Sequence, residues 1–306
     1  MTHTAIIVNK LVVIGIGLIG GSLATGLKQR AACREVIGIA RREQTCLDAV
    51  THRVVDRAYT SLDEIATELR AGDVIFISVP TLAVAEVLRE IRSKVAPEVT
   101  ITDGASVKGS VLKAAQEAYG ELPPQLVLGH PIAGSEKNGV TAANPNLYEN
   151  HRVILTPLDN TSTEHVDLVT RMWQAVGAEV LSMSVKEHDE VLAATSHLPH
   201  AIAYALVDTL AHDIGNPNIF RYAAGGFRDF TRIASSDPMM WHDIMRANKT
   251  AILQSMDLFI DNLTRLRSSI ENEDSGYMLD VFTRAKDARD EFSQLLAQRQ
   301  ATKSKP

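Results

Sequence analysis

The sequence predicts an α/β chain: a Rossmann-like, doubly wound, mostly parallel sheet followed by an all-α C-terminal domain. Three observations predict it. A β-prone apolar run, Lys10-Leu11-Val12-Val13-Ile14, leads straight into Gly15-Ile16-Gly17-Leu18-Ile19-Gly20 and an apolar helix through Leu27. Short apolar runs at residues 35–39, 73–78, 99–102, 126–128, 152–155 and 179–181 then alternate with helical stretches, the pattern of parallel strands joined by crossover helices. From Ser184 onward the β-prone runs stop and helical periodicity takes over. The expected boundary lies near Met183, giving a dinucleotide-binding domain over residues 1–183 and a helical substrate-binding and dimerisation domain over residues 184–306.

Composition narrows the function classes. The 306 residues are 45% hydrophobic and 22% charged, with a net charge of −6. No apolar run reaches the ~18 residues of a membrane span. Residues 1–10 are too short for a signal peptide and lack a small-residue cleavage site. Cys33 and Cys46 have no metal-ligand spacing and read as reduced thiols of a cytoplasmic protein. A mildly acidic chain without a basic cluster argues against nucleic acid. Any anionic ligand must then be held by a few local arginines and helix N-termini.

The glycine turn is the strongest motif. With a strand before and a helix after, Gly15 suits the tight turn, Gly17 the approach of a pyrophosphate and Gly20 close helix–strand packing. Gly15, Ile16, Gly17, Leu18, Ile19 and Gly20 are therefore expected to hold a dinucleotide. Ser78-Val79-Pro80 ends a later strand, and Pro80 is expected to open the next helix over the cofactor. At the end of the second strand, Ile39-Ala40-Arg41-Arg42 offers no carboxylate before Glu43. Arg41 and Arg42 there suit a 2′-phosphate, which favours NADP, with NAD as the alternative; the bland reading of the two arginines is a solvated helix start.

Two loops are expected on the nicotinamide side. Leu128-Gly129-His130-Pro131-Ile132-Ala133-Gly134 presents one histidine at what reads as a strand's carboxyl edge, well placed to take a proton near neutral pH. Asp103-Gly104-Ala105-Ser106-Val107-Lys108 follows a strand and precedes a helix. Ser106 reads as that helix's N-cap, with a hydroxyl that also reaches toward a substrate oxygen or the cofactor.

In the second half, Ser196-His197-Leu198-Pro199-His200 puts both histidines on one helix face. No third ligand supports a metal, so none is expected; His197 reads as structural, while His200 stays open between packing and the site. Asp229 and Arg232, three apart, suit a guanidinium braced by a carboxylate, against the alternative of a surface ion pair. Asp237 and Pro238 open a helix. Trp241 reads as core. One helix over residues 242–270 carries an apolar stripe that suits a second subunit, a last helix covers 277–296, and residues 301–306 read as a frayed tail.

Taken together, Gly15-x-Gly17-x-x-Gly20, Asp103-Gly104-Ala105-Ser106-Val107-Lys108, Gly129-His130-Pro131-Ile132-Ala133-Gly134, Ser196-His197-Leu198-Pro199-His200 and Gly225-Gly226-Phe227-Arg228-Asp229-Phe230-Thr231-Arg232 resemble the prephenate/arogenate (cyclohexadienyl) dehydrogenase family of tyrosine biosynthesis nearly end to end. No chorismate mutase segment is expected before the fold and no regulatory domain after it. The resemblance implies oxidative decarboxylation of prephenate to 4-hydroxyphenylpyruvate, with arogenate as a secondary substrate. It implies His130 as the base and Ser106 as the residue that positions the hydroxyl and nicotinamide. Arg232, braced by Asp229, would hold a carboxylate, with Arg228 and His200 near the substrate's other end. Glu136 resembles the family's gating carboxylate, and Asn138 the neutral residue of prephenate users. A homodimer and tyrosine as feedback inhibitor are implied as well. The rival readings are a Rossmann reductase using a lysine acid/base and a dinucleotide sensor without catalysis; the presence of His130, Ser106 and Arg232 weighs against both.

Overall fold

The computed structural model describes residues 6–135, 137–212 and 218–303, with side chains through residue 298. Contacts divide the chain into two compact units, 1–252 and 253–306. Residues 184–252, expected to open the helical domain, share a unit with the sheets.

The first unit begins with β1 (Val8–Ile14), α1 (Leu18–Gln29), β2 (Cys33–Ile39), α2 (Glu43–Thr51) and β3 (Arg57–Tyr59). It continues with β4 (Val74–Ile77), α3 (Val84–Lys94), β5 (Thr100–Asp103), α4 (Lys108–Tyr119) and β6 (Leu126–Val127). The six strands form one parallel sheet in the order β3-β2-β1-β4-β5-β6. The order reverses between β1 and β4, so a crevice is expected beyond their carboxyl ends. Because both faces are covered, the strands are apolar on both. In β1, Leu11 and Val13 enter one core while Val12 and Ile14 enter the other, the alternation a strand imposes. Strand β3 is only three residues long, too short to show a period in sequence.

A second sheet holds β7 (Gly129–Ile132), β8 (Arg152–Leu155) and β9 (Glu179–Ser182), with α5 (Thr163–Ala175) between the last two. Strand β7 runs antiparallel to β8, and β8 parallel to β9. This corrects the expected reading of the 126–128 run. The parallel strand stops at Val127, and His130 lies inside a strand of the second sheet. The cause is a pair of tertiary contacts: the Gly129 N–H donates to Asp103 Oδ2 at 3.2 Å and its carbonyl accepts from Lys108 Nζ. Both backbone groups are thereby withdrawn from the first sheet.

Trp173 of α5 is fully buried between Phe76 and Tyr148, edge-on to each, with ring centroids at 5.4 and 4.9 Å. Trp173→Ala is expected to cost about 3–5 kcal/mol, read as a lower urea midpoint; an unchanged midpoint contradicts this account of the core.

The helical stretch opens at Ser184, whose side chain accepts from the Glu187 N–H at 3.1 Å. It runs as α6 (Val185–Leu192), a π-turn at Ala193–His197, and α7 (Leu198–Ala211). Pro199 has no N–H to give and its ring crowds the carbonyl of residue 195; the widened turn makes room for it. Two more helices follow, α8 (Gly225–Thr231) and α9 (Pro238–Ala247). Asp237 caps α9 as expected, accepting from the Met240 N–H at 2.9 Å. The single helix expected over 242–270 is broken at Asn248, and α10 (Lys249–Glu271) starts after it. In the second unit α11 (Ser275–Lys303) runs longer than expected and includes residues 301–303, which read as frayed in the sequence. Leu258, Leu263, Leu279 and Phe282 are exposed there. Among the described residues no helix is long and apolar enough to cross a membrane.

Candidate active site

A cavity of about 520 Å³ lies within the first unit. On one side it is lined by Gly17, Leu18 and Ile19 at the start of α1 and by Ser78, Val79 and Pro80 after β4. Gly15 has φ +94°, and a Cβ on it would sit 2.3 Å from the Ser78 carbonyl oxygen, so only glycine fits that turn. Gly17 precedes α1 without any side-chain cap, and a Cβ there would meet nothing within 4 Å. Uncapped helix amides opening on empty space fit a pyrophosphate. Ile16 and Gly20 do not line the cavity; Ile16 packs into the core, and a Cβ on Gly20 would lie 2.5 Å from the Gly15 carbonyl oxygen. Pro80 opens a 3-10 turn, Thr81–Ala83, rather than α3 itself.

The end of β2 is tied to the glycine turn, since the Gly15 N–H donates to the Ile39 carbonyl at 2.9 Å. Arg41 and Arg42 come just after it and are exposed. Arg42 is also the residue that precedes α2, without a side-chain capping bond.

Across the cavity lie Ser106, His130, Asn138, Ser196 and His197. His130 is buried, and its Nδ1 is 2.9 Å from His188 Nε2. His188 is fully buried, and its Nδ1 is 2.8 Å from Asp189 Oδ1. Asp189 in turn accepts from the backbone N–H groups of Lys108 (2.9 Å) and Gly109 (2.8 Å) at the start of α4. Burial opposes the charge on Asp189, but the bonds from His188 and the two amides hold its carboxyl below the ordinary carboxylate value. Burial, above all, pushes His130 well below the usual imidazole value. It is therefore a neutral base at pH 7. His197 is pushed down to about 4, chiefly by burial.

Ser106 is not the N-cap of α4. Val107 holds that position with no capping side chain, and the first amides go to Asp189 from α6 instead. Ser106 is left half-buried at the cavity wall. Behind it, Lys108 and Asp103 form a fully buried ion pair. Asp103 also accepts from the N–H groups of Ala105 and Gly129, and Lys108 donates to the Gly129 carbonyl. This pair locks the Ser106 loop to the His130 strand.

Trp241, expected as core, is buried and also forms part of the cavity wall. His200 stacks on it at 3.6 Å with planes 20° apart, and His200 Nδ1 is 2.8 Å from the Ser196 carbonyl oxygen. Burial lowers the His200 pKa, and the charge of Arg232 adds to the shift, so the two lie within electrostatic reach. His200, Arg228, Asp229 and Arg232 stand outside the cavity lining. Arg232 is exposed on a 3-10 turn, Arg232–Ser235. The partner described for Asp229 is its chain neighbour Arg228, at 2.9 Å between two exposed side chains. The expected brace from Asp229 to Arg232 is corrected accordingly: in this conformation the carboxylate turns along the helix to the nearer guanidinium. Glu136 lies outside the described residues.

Sequence reasoning missed His188, Asp189 and the roles of Asp103 and Lys108. A signal existed for the first: His188 and Leu192, four apart, are both on the buried stripe of α6, an unusual place for a histidine. Among the described residues no group of histidine, cysteine and carboxylate side chains could hold a metal ion.

Residues 23–182 match the family model described as prephenate dehydrogenase, nucleotide-binding domain, and residues 184–284 match prephenate dehydrogenase, dimerization domain. The chain belongs to the prephenate dehydrogenase family. It is thus an oxidoreductase of that family, with a nucleotide-binding segment and a segment of the family's dimerization domain. It is 36% identical over 285 residues to cyclohexadienyl dehydrogenase of Zymomonas mobilis, covering 92% of this chain and 95% of that one. It is 37% identical to prephenate dehydrogenase of Bacillus subtilis, covering 92% and 76%. Its fold matches the crystal structure of prephenate dehydrogenase from Aquifex aeolicus in complex with hydroxyphenyl propionate and NAD+, with a TM-score of 0.86 and 34% identity over 95% of this chain and 100% of that chain.

Proposed function

We propose that this chain oxidises and decarboxylates prephenate to 4-hydroxyphenylpyruvate in tyrosine biosynthesis, with NADP as preferred cofactor and NAD as the alternative. The observation that carries this reading is that His130 and Ser106 share one cavity with the uncapped N-terminus of α1. The bound nicotinamide supplies the hydride acceptor. His130 takes the proton of the C4 hydroxyl as that carbon is oxidised, and Ser106 orients the hydroxyl. The C1–carboxylate bond then breaks, CO2 leaves, and its electron pair completes the aromatic ring. His130 returns the proton to the same oxygen, so no net proton is released. Aromatisation drives the reaction, and the protein orients and deprotonates.

Arg232 holds a substrate carboxylate, with Arg228 and His200 near the substrate's other end and Glu136 as a gate at the pocket mouth. Asn138 is a neutral side chain at the cavity wall, which supports prephenate over the ammonium-bearing arogenate. The cyclohexadienyl dehydrogenase relative supports arogenate as a secondary substrate. We further propose that residues from 184 onward form the substrate-binding and dimerisation portion, that two copies associate through the exposed apolar side chains of α10 and α11, and that the protein is cytoplasmic. Tyrosine, which carries the product's hydroxyphenyl group, is the expected feedback inhibitor.

The test is the rise in reduced-nicotinamide absorbance with prephenate or arogenate, each tried with NADP and NAD. Prephenate with NADP is expected to give the highest kcat/KM; no absorbance rise with either substrate overturns the reading. Replacing Arg41 and Arg42 by alanine is expected to raise the KM for NADP by about 10- to 10²-fold and leave that for NAD within about twofold. Equal changes for the two cofactors refute the 2′-phosphate assignment.

A further inference from the structure

We infer that His188 and Asp189 are positioning residues that keep the proton of His130 on Nδ1 and leave its Nε2 as the basic atom. The inference rests on the reading of His130 as the base and deepens it. Asp189 Oδ1 and Oδ2 already accept the Lys108 and Gly109 N–H groups, and an ionised carboxylate has no proton to give. His188 Nδ1, 2.8 Å from Oδ1, must therefore be the donor. In the assignment we make, that is the only ring proton of His188, so its Nε2 presents a lone pair 2.9 Å from His130 Nδ1. His130 Nδ1 must donate across that contact. Its remaining ring nitrogen holds the lone pair, on a residue that lines the cavity.

When the substrate's O–H bond breaks and an Nε2–H bond forms, the new imidazolium stays hydrogen-bonded through His188 to a fixed carboxylate. The reverse step returns the proton to the same oxygen, and the Nδ1–H bond stays intact throughout. Asp189 has a second consequence. By holding the first amides of α4 it also holds the end of the loop that carries Ser106. Asn248, in the break between α9 and α10, secures Asp189 in turn by donating to its carbonyl at 2.8 Å. One carboxylate thus sets both the base and the Ser106 loop, an arrangement that keeps reacting groups in register.

Two measurements on the full chain decide the matter. Long-range 15N–1H spectra of the imidazole groups, recorded without substrate, are expected to show His130 protonated at Nδ1 alone. They should show Nε2–H appearing in His188→Leu, whereas His188→Gln, whose amide oxygen can accept the Nδ1–H, keeps the wild-type pattern. In steady-state assays His188→Leu is expected to lose about 10²-fold in kcat with KM for substrate and cofactor within about threefold, and His188→Gln to regain about tenfold of it. A wild-type His130 protonated at Nε2 overturns the inference whether or not the leucine variant folds. So does an equal loss of kcat in both variants. The spectra need no substrate, so a wild-type chain that leaves prephenate unoxidised refutes the proposed function alone.

Discussion

His130→Asn is expected to lower kcat by on the order of 10²–10⁴, the usual worth of a general base, with little change in cofactor affinity. The reason is geometric and electrostatic together. The imidazole is buried, its pKa lies well below the ordinary value, chiefly through burial, and it stands in the same cavity as the start of α1. Asparagine keeps a hydrogen-bonding group near Nδ1 and removes the atom that takes the proton. Steady-state rates with prephenate, beside a fluorescence titration of NADP, separate the two effects. A variant that turns over at the wild-type rate removes His130 from the mechanism; one that has lost cofactor binding assigns it a structural role instead.

The second large effect is expected at Arg232. A charge-assisted pair with a substrate carboxylate is worth about 1.5–3 kcal/mol, so Arg232→Ala should raise KM for prephenate by roughly 10- to 150-fold, because 1.4 kcal/mol is a factor of ten. Arg232→Lys should recover only part of this, since an ammonium keeps the charge and loses the two-pronged geometry. Arg232 is exposed on its 3-10 turn, and its charge is felt by His200, which stacks on Trp241 at the cavity wall. That puts a cation within electrostatic reach of the His200 ring. An unchanged KM in the alanine variant moves the anion site elsewhere.

The sequence made the nucleotide half legible because its signals are local. A strand, a glycine turn and a helix N-terminus occupy consecutive residues, although the atoms that exclude a side chain at Gly15 belong to Ser78 on a later loop. His130 was legible for a similar reason, as a lone histidine between glycine and proline after an apolar run. What lay behind it was not. His188 is 58 residues away along the chain, and nothing in a helix-opening His-Asp pair announces a partner on β7. The second sheet was hidden because it depends on the buried Asp103–Lys108 pair diverting Gly129, a tertiary event. The same network explains why Ser106 fails as a cap: a carboxylate from another helix had already taken the amides. The i,i+3 spacing of Asp229 and Arg232 allowed a pairing without selecting it, and the carboxylate pairs with adjacent Arg228.

The central claim is that one imidazole acts on a substrate hydroxyl next to the nicotinamide. A crystal structure of the chain with NADP and a non-reacting prephenate analogue tests it most directly. The account predicts His130 Nε2 about 2.6–3.2 Å from the analogue's ring hydroxyl, on the carbon that faces the nicotinamide, with the diphosphate against the first turn of α1. A ring hydroxyl bonded to some other side chain, with His130 turned away from it, would contradict the account.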